Sequence, residues 1–186
     1  MNILILGCGG RENILAQKLF CNENKINCIG GWVNPDIYSI CNSYNIIDIN
    51  DKENEEKIMK MVSKLNPEMI VIGPETILNT NMIFKWNVNK CICIGPVKDL
   101  ARLEISKGFT RDILKKNNLS NFSPSYLKLE PSNTNIIIPD IIKELKSFNK
   151  FVVKVDGLYG GKGVFVQDDH FNTFHEGINI AQNLLK

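Results

Sequence analysis

Two lysines beside a glycine-rich turn are the residues of this chain best suited to hold a phosphate. They stand in Val152-Val153-Lys154-Val155-Asp156-Gly157-Leu158-Tyr159-Gly160-Gly161-Lys162-Gly163-Val164-Phe165-Val166. β-Branched and aromatic residues at both ends predict two short strands, and Gly157, Gly160, Gly161 and Gly163 predict the loop between them. A loop free of Cβ atoms lets backbone N–H groups approach a phosphate. Lys154 and Lys162 supply compensating positive charge. The run is not a Walker A loop, because Lys162 is followed by Gly163 and a strand rather than by Ser or Thr at a helix start. Taken alone, the loop fits a phosphate cradle and a plain hairpin turn equally well.

Two further clusters carry polar chemistry next to glycine. Gly7-Cys8-Gly9-Gly10-Arg11-Glu12 lies between an apolar run and an amphipathic one. A helix N-terminus there favours an anion, and Arg11 suits a phosphate or carboxylate. The dinucleotide fingerprint would require a third glycine where Glu12 stands, so this is a weak match to a nicotinamide dinucleotide site. Gly73-Pro74-Glu75 follows another apolar run. The Glu75 carboxylate there can accept from an amine or a sugar hydroxyl, or serve only as a solvated turn acid.

The elements that must position these groups follow from periodicity. Strands are predicted at Asn2–Leu6, Cys28–Val33, Ile46–Ile49, Met69–Ile72 and Cys91–Ile94. Helices are predicted at Gly10–Phe20, with Ile14, Leu15, Lys18 and Leu19 on one face, at Asp51–Leu65 and at Ile77–Asn87. Strands alternating with helices imply an α/β, doubly wound parallel sheet in the first hundred residues. Helices are expected next at Asp99–Glu104 and Ser106–Asn117, with Ser106 as N-cap of the second. A strand at Tyr126–Leu129, a helix at Pro139–Phe148, the glycine-rich hairpin and a helix at Phe171–Leu185 complete the expectation. The domain boundary is expected near Gly95–Glu104.

Bulk properties exclude some classes. The net charge is +2 in 186 residues, with 44% hydrophobic and 23% charged residues. That balance does not argue for a nucleic-acid or membrane partner, and none is expected. Met1–Leu6 is too short for a signal peptide or a span. Cys8, Cys21, Cys28, Cys41, Cys91 and Cys93 form no Cys-x-x-Cys pair, and only His170 and His175 accompany them. Reduced thiols in a cytoplasmic setting, and no zinc site, are the expectation.

Taken in order, the motifs resemble a family. Gly7-x-Gly9-Gly10-Arg11-Glu12, Gly73-Pro74-Glu75 and Gly95-Pro96 come first. Leu103-Glu104-x-Ser106-Lys107-x-Phe109-Thr110-Arg111-Asp112 and Val153-Lys154-x-Asp156-Gly157-Leu158-x-x-Gly161-Lys162-Gly163-Val164 follow. The series resembles the glycinamide ribonucleotide synthetases (phosphoribosylamine–glycine ligases), ATP-grasp enzymes of purine biosynthesis. The resemblance implies that ATP phosphorylates glycine to glycyl phosphate, which the amine of 5-phosphoribosylamine then attacks. It implies ATP contacts for Lys107, Lys154, Gly160, Gly161, Lys162 and Gly163. It places Gly9, Gly10, Arg11 and Glu75 near phosphoribosylamine, and leaves the catalytic residues unassigned. The implied layout is a pre-ATP-grasp N-terminal domain at 1–100, a helical connection at 101–120 and a small α+β ATP-grasp lid at 121–186.

The chain also departs from the family. Asn13 stands where histidine is usual. Gly30-Gly31-Trp32-Val33-Asn34-Pro35-Asp36 is a remnant of a Pro-Gly-Asn-x-Gly turn, and Ile77-Leu78-Asn79-Thr80-Asn81 replaces a glycine-containing segment. These changes touch phosphoribosylamine binding more than ATP binding. The main ATP-grasp subdomain, with its adenine strand and Mg2+ ligands, cannot be placed in these residues. The chain is then expected to be a fragment, or a split-gene product whose partner is a second chain carrying that core, with no metal ligand here. The alternative is a degenerate, non-catalytic phosphate- or nucleotide-binding module. A third reading, an ATP-grasp purine ligase with another substrate, is disfavoured by the Gly9–Glu12 and Ser106–Thr110 blocks.

Overall fold

Apolar runs that bury both faces form the centre of the first of two units. The computed structural model describes residues 1–130, 143 and 145–185, which divide into two compact units, Met1–Arg102 and Leu103–Lys186. In the first unit β1 (Asn2–Leu6), β2 (Lys25–Gly30), β3 (Ser43–Ile46), β4 (Met69–Ile72) and β5 (Ile92–Ile94) form one parallel sheet of order β3-β2-β1-β4-β5. Helices α1 (Gly10–Leu19), α2 (Pro35–Ile40), α3 (Glu55–Leu65), α4 (Glu75–Leu78) and α5 (Met82–Val88) lie between the strands in sequence. Side chains alternate along a strand, and one β1 face packs Ile3 and Ile5 with Ala16 and Ile37. Leu4 and Leu6 are equally buried on the other face. Both faces of β1 are therefore covered, as a parallel sheet requires.

The sequence expectation needs several corrections here. β2 begins at Lys25 and stops at Gly30, rather than running from Cys28 to Val33. Its Asn27 is buried, and its amide donates to the Asn2 side chain at 2.7 Å. β3 is Ser43–Ile46, not Ile46–Ile49. Ile47 and Ile49 are nonetheless buried beyond its end. In α1, Ile14 and Leu15 are exposed, and the helix turns Glu12 and Ala16 inward. The helix expected at Asp51–Leu65 opens with a 3-10 turn at Lys52–Asn54. The segment expected as one helix at Ile77–Asn87 is two, α4 and α5. Thr80 Oγ1 donates back to the Ile77 carbonyl at the break, a local bond that competes with helix continuation.

The second unit follows α6 (Lys98–Ile105), which spans the division. It holds α7 (Lys107–Lys116), a hairpin of β6 (Val152–Lys154) and β7 (Val164–Val166), and α8 (Phe174–Leu184). Thr173 and Glu176 close a capping box on α8, and the Thr173 and Asn172 N–H groups hold the Glu176 carboxyl below its ordinary range. Phe171 lies before α8 rather than in it, and packs with Phe174 around the Phe151 ring. Tyr126–Leu129 forms no ladder among the described residues. Half of the predicted Pro139–Phe148 helix, residues 139–142 and 144, lies outside the described residues.

All six cysteines are free. Burial pushes the Cys28 thiol up to about 12, and its Sγ–H donates to the Gly7 carbonyl at 3.3 Å. Cys8 is buried beside it, whereas Cys21 is exposed. The thiolate is the reactive form. At pH 8 a maleimide should therefore label Cys21 within minutes, with Cys8 and Cys28 reacting about a hundredfold more slowly until the fold opens. Peptide mapping after timed labelling checks this order; early modification of Cys28 would contradict the packed sheet.

Candidate functional site

Parallel register brings the ends of β1 and β4 to one sheet edge, because Leu6 lies opposite Ile72. The sheet order reverses between these strands, which is where open α/β sheets form their ligand crevice. Gly7 and Gly73 follow the two strands, and their N–H groups extend the ladder to the Ile29 and Leu6 carbonyls. α1 starts at once after Gly9. Its third residue, Glu12, reaches back so that the Gly9 N–H donates to Oε2 at 2.7 Å. This is one arm of a capping box, signalled by the Gly9-x-x-Glu12 spacing.

The Glu12 carboxylate fills the space between the two loops. The residue is 6% exposed, and Oε1 has no hydrogen-bond partner among the described residues. A Cβ on Gly73 would lie 2.0 Å from that oxygen, and a Cβ on Gly7 would lie 2.7 Å from Glu12 Cγ. The glycines therefore make room for a carboxylate of the chain itself. Where the dinucleotide fingerprint leaves a path for pyrophosphate, this chain places a side chain of its own. The sequence marks Glu12 as a missing fingerprint glycine and as the end of a motif block, and does not reveal that role.

Of the substrate residues expected from the sequence, Gly9, Gly10 and Arg11 form the α1 start, and Glu75 begins α4. Arg11 and Glu75 meet as an ion pair at 3.8 Å, with side chains 75% and 41% exposed. An exposed pair of that kind contributes little and is easily traded for another partner. Asn13 is engaged elsewhere: its amide donates to Asp36 and its carbonyl accepts from Gln17, each at 2.9 Å. Asn34, in the remnant turn, caps α2 by accepting from the Asp36 and Ile37 N–H groups, and donates to the Cys8 carbonyl. Tyr44 donates to the Trp32 carbonyl beside it. Loops from three strands are thus tied at one edge.

In the second unit, Lys107 is the first residue of α7 and Lys154 the last of β6, and both are exposed. Both line a cavity of about 600 Å3. Ser106 caps α7, its Oγ accepting from the Phe109 N–H at 3.0 Å. The hairpin loop closes with a Val155 N–H to Gly163 carbonyl bond at 2.8 Å. At its tip Gly160 and Gly161 have φ of +55° and +79°, a region that favours glycine, with open space around both. Lys162 is exposed in the same loop, and Gly163 is buried beneath it. Lys128 bonds Asp112, holding that carboxyl below its usual range, and Lys150 pairs with Asp168. Among the described residues no group of three or more His, Cys, Asp or Glu side chains is placed to hold a metal, and no helix is long and apolar enough to cross a membrane.

This architecture is an α/β fold with a parallel sheet, shared with solved enzyme structures. An ADP complex of N5-carboxyaminoimidazole synthetase from Staphylococcus aureus superimposes with a TM-score of 0.65 at 16% identity, over 99% of this chain and 44% of that one. The phosphoribosylglycinamide synthetase N-domain model matches residues 1–104. The chain belongs to that family. The phosphoribosylamine–glycine ligase of Methanocella arvoryzae is 31% identical over 100% of this chain and 41% of its own length. That of Clostridium acetobutylicum is 31% identical over 91% of this chain and 38% of its own. The chain thus spans about two fifths of the length of these relatives.

The packing around Glu12 makes a stability prediction. Gly73→Ala should destabilise the first unit by about 2 kcal/mol through overpacking. In a Glu12→Ala background the same change should cost less than about 1 kcal/mol, since neighbouring sites couple. Urea unfolding of the four proteins checks this; additive losses would show that Gly73 clears space for something else.

Proposed function

We propose that this chain is the N-terminal part of a ligase that joins glycine to 5-phosphoribosylamine at the expense of ATP. The observation that carries the reading is the family match over residues 1–104, with Arg11 and Glu75 meeting at the β1/β4 edge. In it, the first unit binds phosphoribosylamine. Arg11 exchanges its loose pairing with Glu75 for the sugar phosphate, and the released carboxylate accepts from the sugar or its amine. Gly9 and Gly10 allow close approach at the start of α1.

The second unit serves as a lid on nucleotide phosphates. Lys107 and Lys154 spread the charge that develops in phosphoryl transfer, and the Gly160–Gly163 loop with Lys162 folds over it. Such activation turns the glycine carboxylate into glycyl phosphate with release of ADP, and the sugar amine attacks the acyl carbon, forming the amide as the acyl–phosphate bond breaks and phosphate leaves. Magnesium would supply charge neutralisation at the phosphates. The described residues do not fit such an ion, so no step here depends on one. The adenine-binding part and metal ligands would come from further sequence or a second chain, in a cytoplasmic enzyme.

A second reading, a non-catalytic phosphate-binding module, is favoured by Asn13, whose side chain is committed to Asp36 and Gln17. One test separates the readings: ADP release with glycine and fresh phosphoribosylamine, from this chain alone and with an added ATP-grasp core of a relative. Turnover in either case supports the ligase, and none in both supports the module.

Binding variants test the site assignments. Arg11→Ala should weaken ribose 5-phosphate about tenfold and leave ATP unchanged. Lys154→Ala should weaken ATP by a similar factor and leave the sugar phosphate unchanged. Calorimetric titration of each variant with each ligand checks both; equal losses for both ligands would sink the division of roles.

A further inference from the structure

Asp156 has no part in the phosphate contacts above, yet it joins the two blocks that carry them. Its Oδ2 accepts from the Ser106 hydroxyl at 2.6 Å and its Oδ1 from the Gly108 N–H at 3.3 Å. Those donors flank Lys107 at the start of α7, while Lys154 lies two residues before Asp156 on the hairpin. One carboxylate therefore bridges segments about fifty residues apart, each ending in a lysine on the same cavity. Gly108 shows that the approach is close. A Cβ there would stand 2.9 Å from Asp156 Oδ2.

We propose that Asp156 is a positioning residue that fixes the hairpin on the N-terminus of α7, so that Lys107 and Lys154 face one polyphosphate. This rests on the phosphate reading of the two lysines. Asp156 does not touch the phosphate. It occupies a free amide of the helix start and aligns the Ser106 hydroxyl, which then caps the Phe109 N–H. Both segments are held before any ligand arrives, which lowers the ordering cost of binding.

The sign of one measurement separates this role from plain electrostatics. A carboxylate near a phosphate site repels anions, so removing it should strengthen binding if charge alone mattered. Positioning requires the opposite. The probe is inorganic tripolyphosphate, which needs no adenine pocket, titrated into the whole chain.

Asp156→Ala should weaken it about fivefold and raise hydrogen exchange at both Gly108–Phe109 and Val155–Gly163. Asp156→Asn keeps an oxygen for the Gly108 N–H without the charge, and should bind at least as tightly as the wild type. Unchanged or tighter binding in Asp156→Ala overturns the proposal, as does failure of Asp156→Asn to recover affinity. If Lys154→Ala binds tripolyphosphate as well as the wild type, the phosphate reading itself has failed, and Asp156 has nothing to position.

Discussion

The crevice of the first unit depends on one buried carboxylate. Glu12 lies across the line where the sheet order reverses, capping α1 through the Gly9 N–H and filling the space left by Gly7 and Gly73. A buried acceptor oxygen without a partner costs free energy, about 1–3 kcal/mol. Here the cost is offset by fixing two loops against each other at the sheet edge. Everything assigned to the sugar side of the chemistry, from Arg11 to Glu75, stands on those two loops. A dinucleotide phosphate has no access to the turn while that side chain holds its place.

The parallel sheet was legible in the sequence because its strands are short apolar runs separated by helical spacing. β1 and β4 stand where those runs predict them. β2 and β3 do not, for reasons visible in their residues. A hydrophobic criterion starts β2 at Cys28 because it cannot know that the Asn27 amide finds the Asn2 side-chain oxygen inside the fold. It starts β3 late because Ser43, Tyr44 and Asn45 are polar, while Ile47 and Ile49 are buried after the strand has ended. The α1 face failed for the opposite reason: Ile14 and Leu15 stay in solvent, and a glutamate goes inward.

The candidate sites were legible as residue types and less so as arrangements. Glycine, lysine and arginine next to turns announce an anion site through local chemistry. Arg11 and Glu75, 64 positions apart in the sequence, meet only because β1 and β4 are neighbours. Glu12 and Asp156 stand in the motif blocks without an assigned role, because local spacing does not show which donors an acid beside a glycine turn will meet. Each instead accepts backbone or hydroxyl hydrogens at a helix start, one from its own helix and one from across the unit.

The sheet order also governs how the chain is assembled during synthesis. β1 precedes the other four strands of its sheet in the chain, and so in synthesis, and is the central one in the finished sheet. β2 covers one side of it early, and β3 extends that side. The other edge of β1 waits for Met69–Ile72. At translation speeds of about 5–20 residues per second, this leaves that edge bare for roughly 3–12 s. An apolar strand with unpaired amides is a template for the wrong partner during that interval. The β1/β4 seam, where the sheet order reverses, is therefore also the last part of the central strand to be shielded.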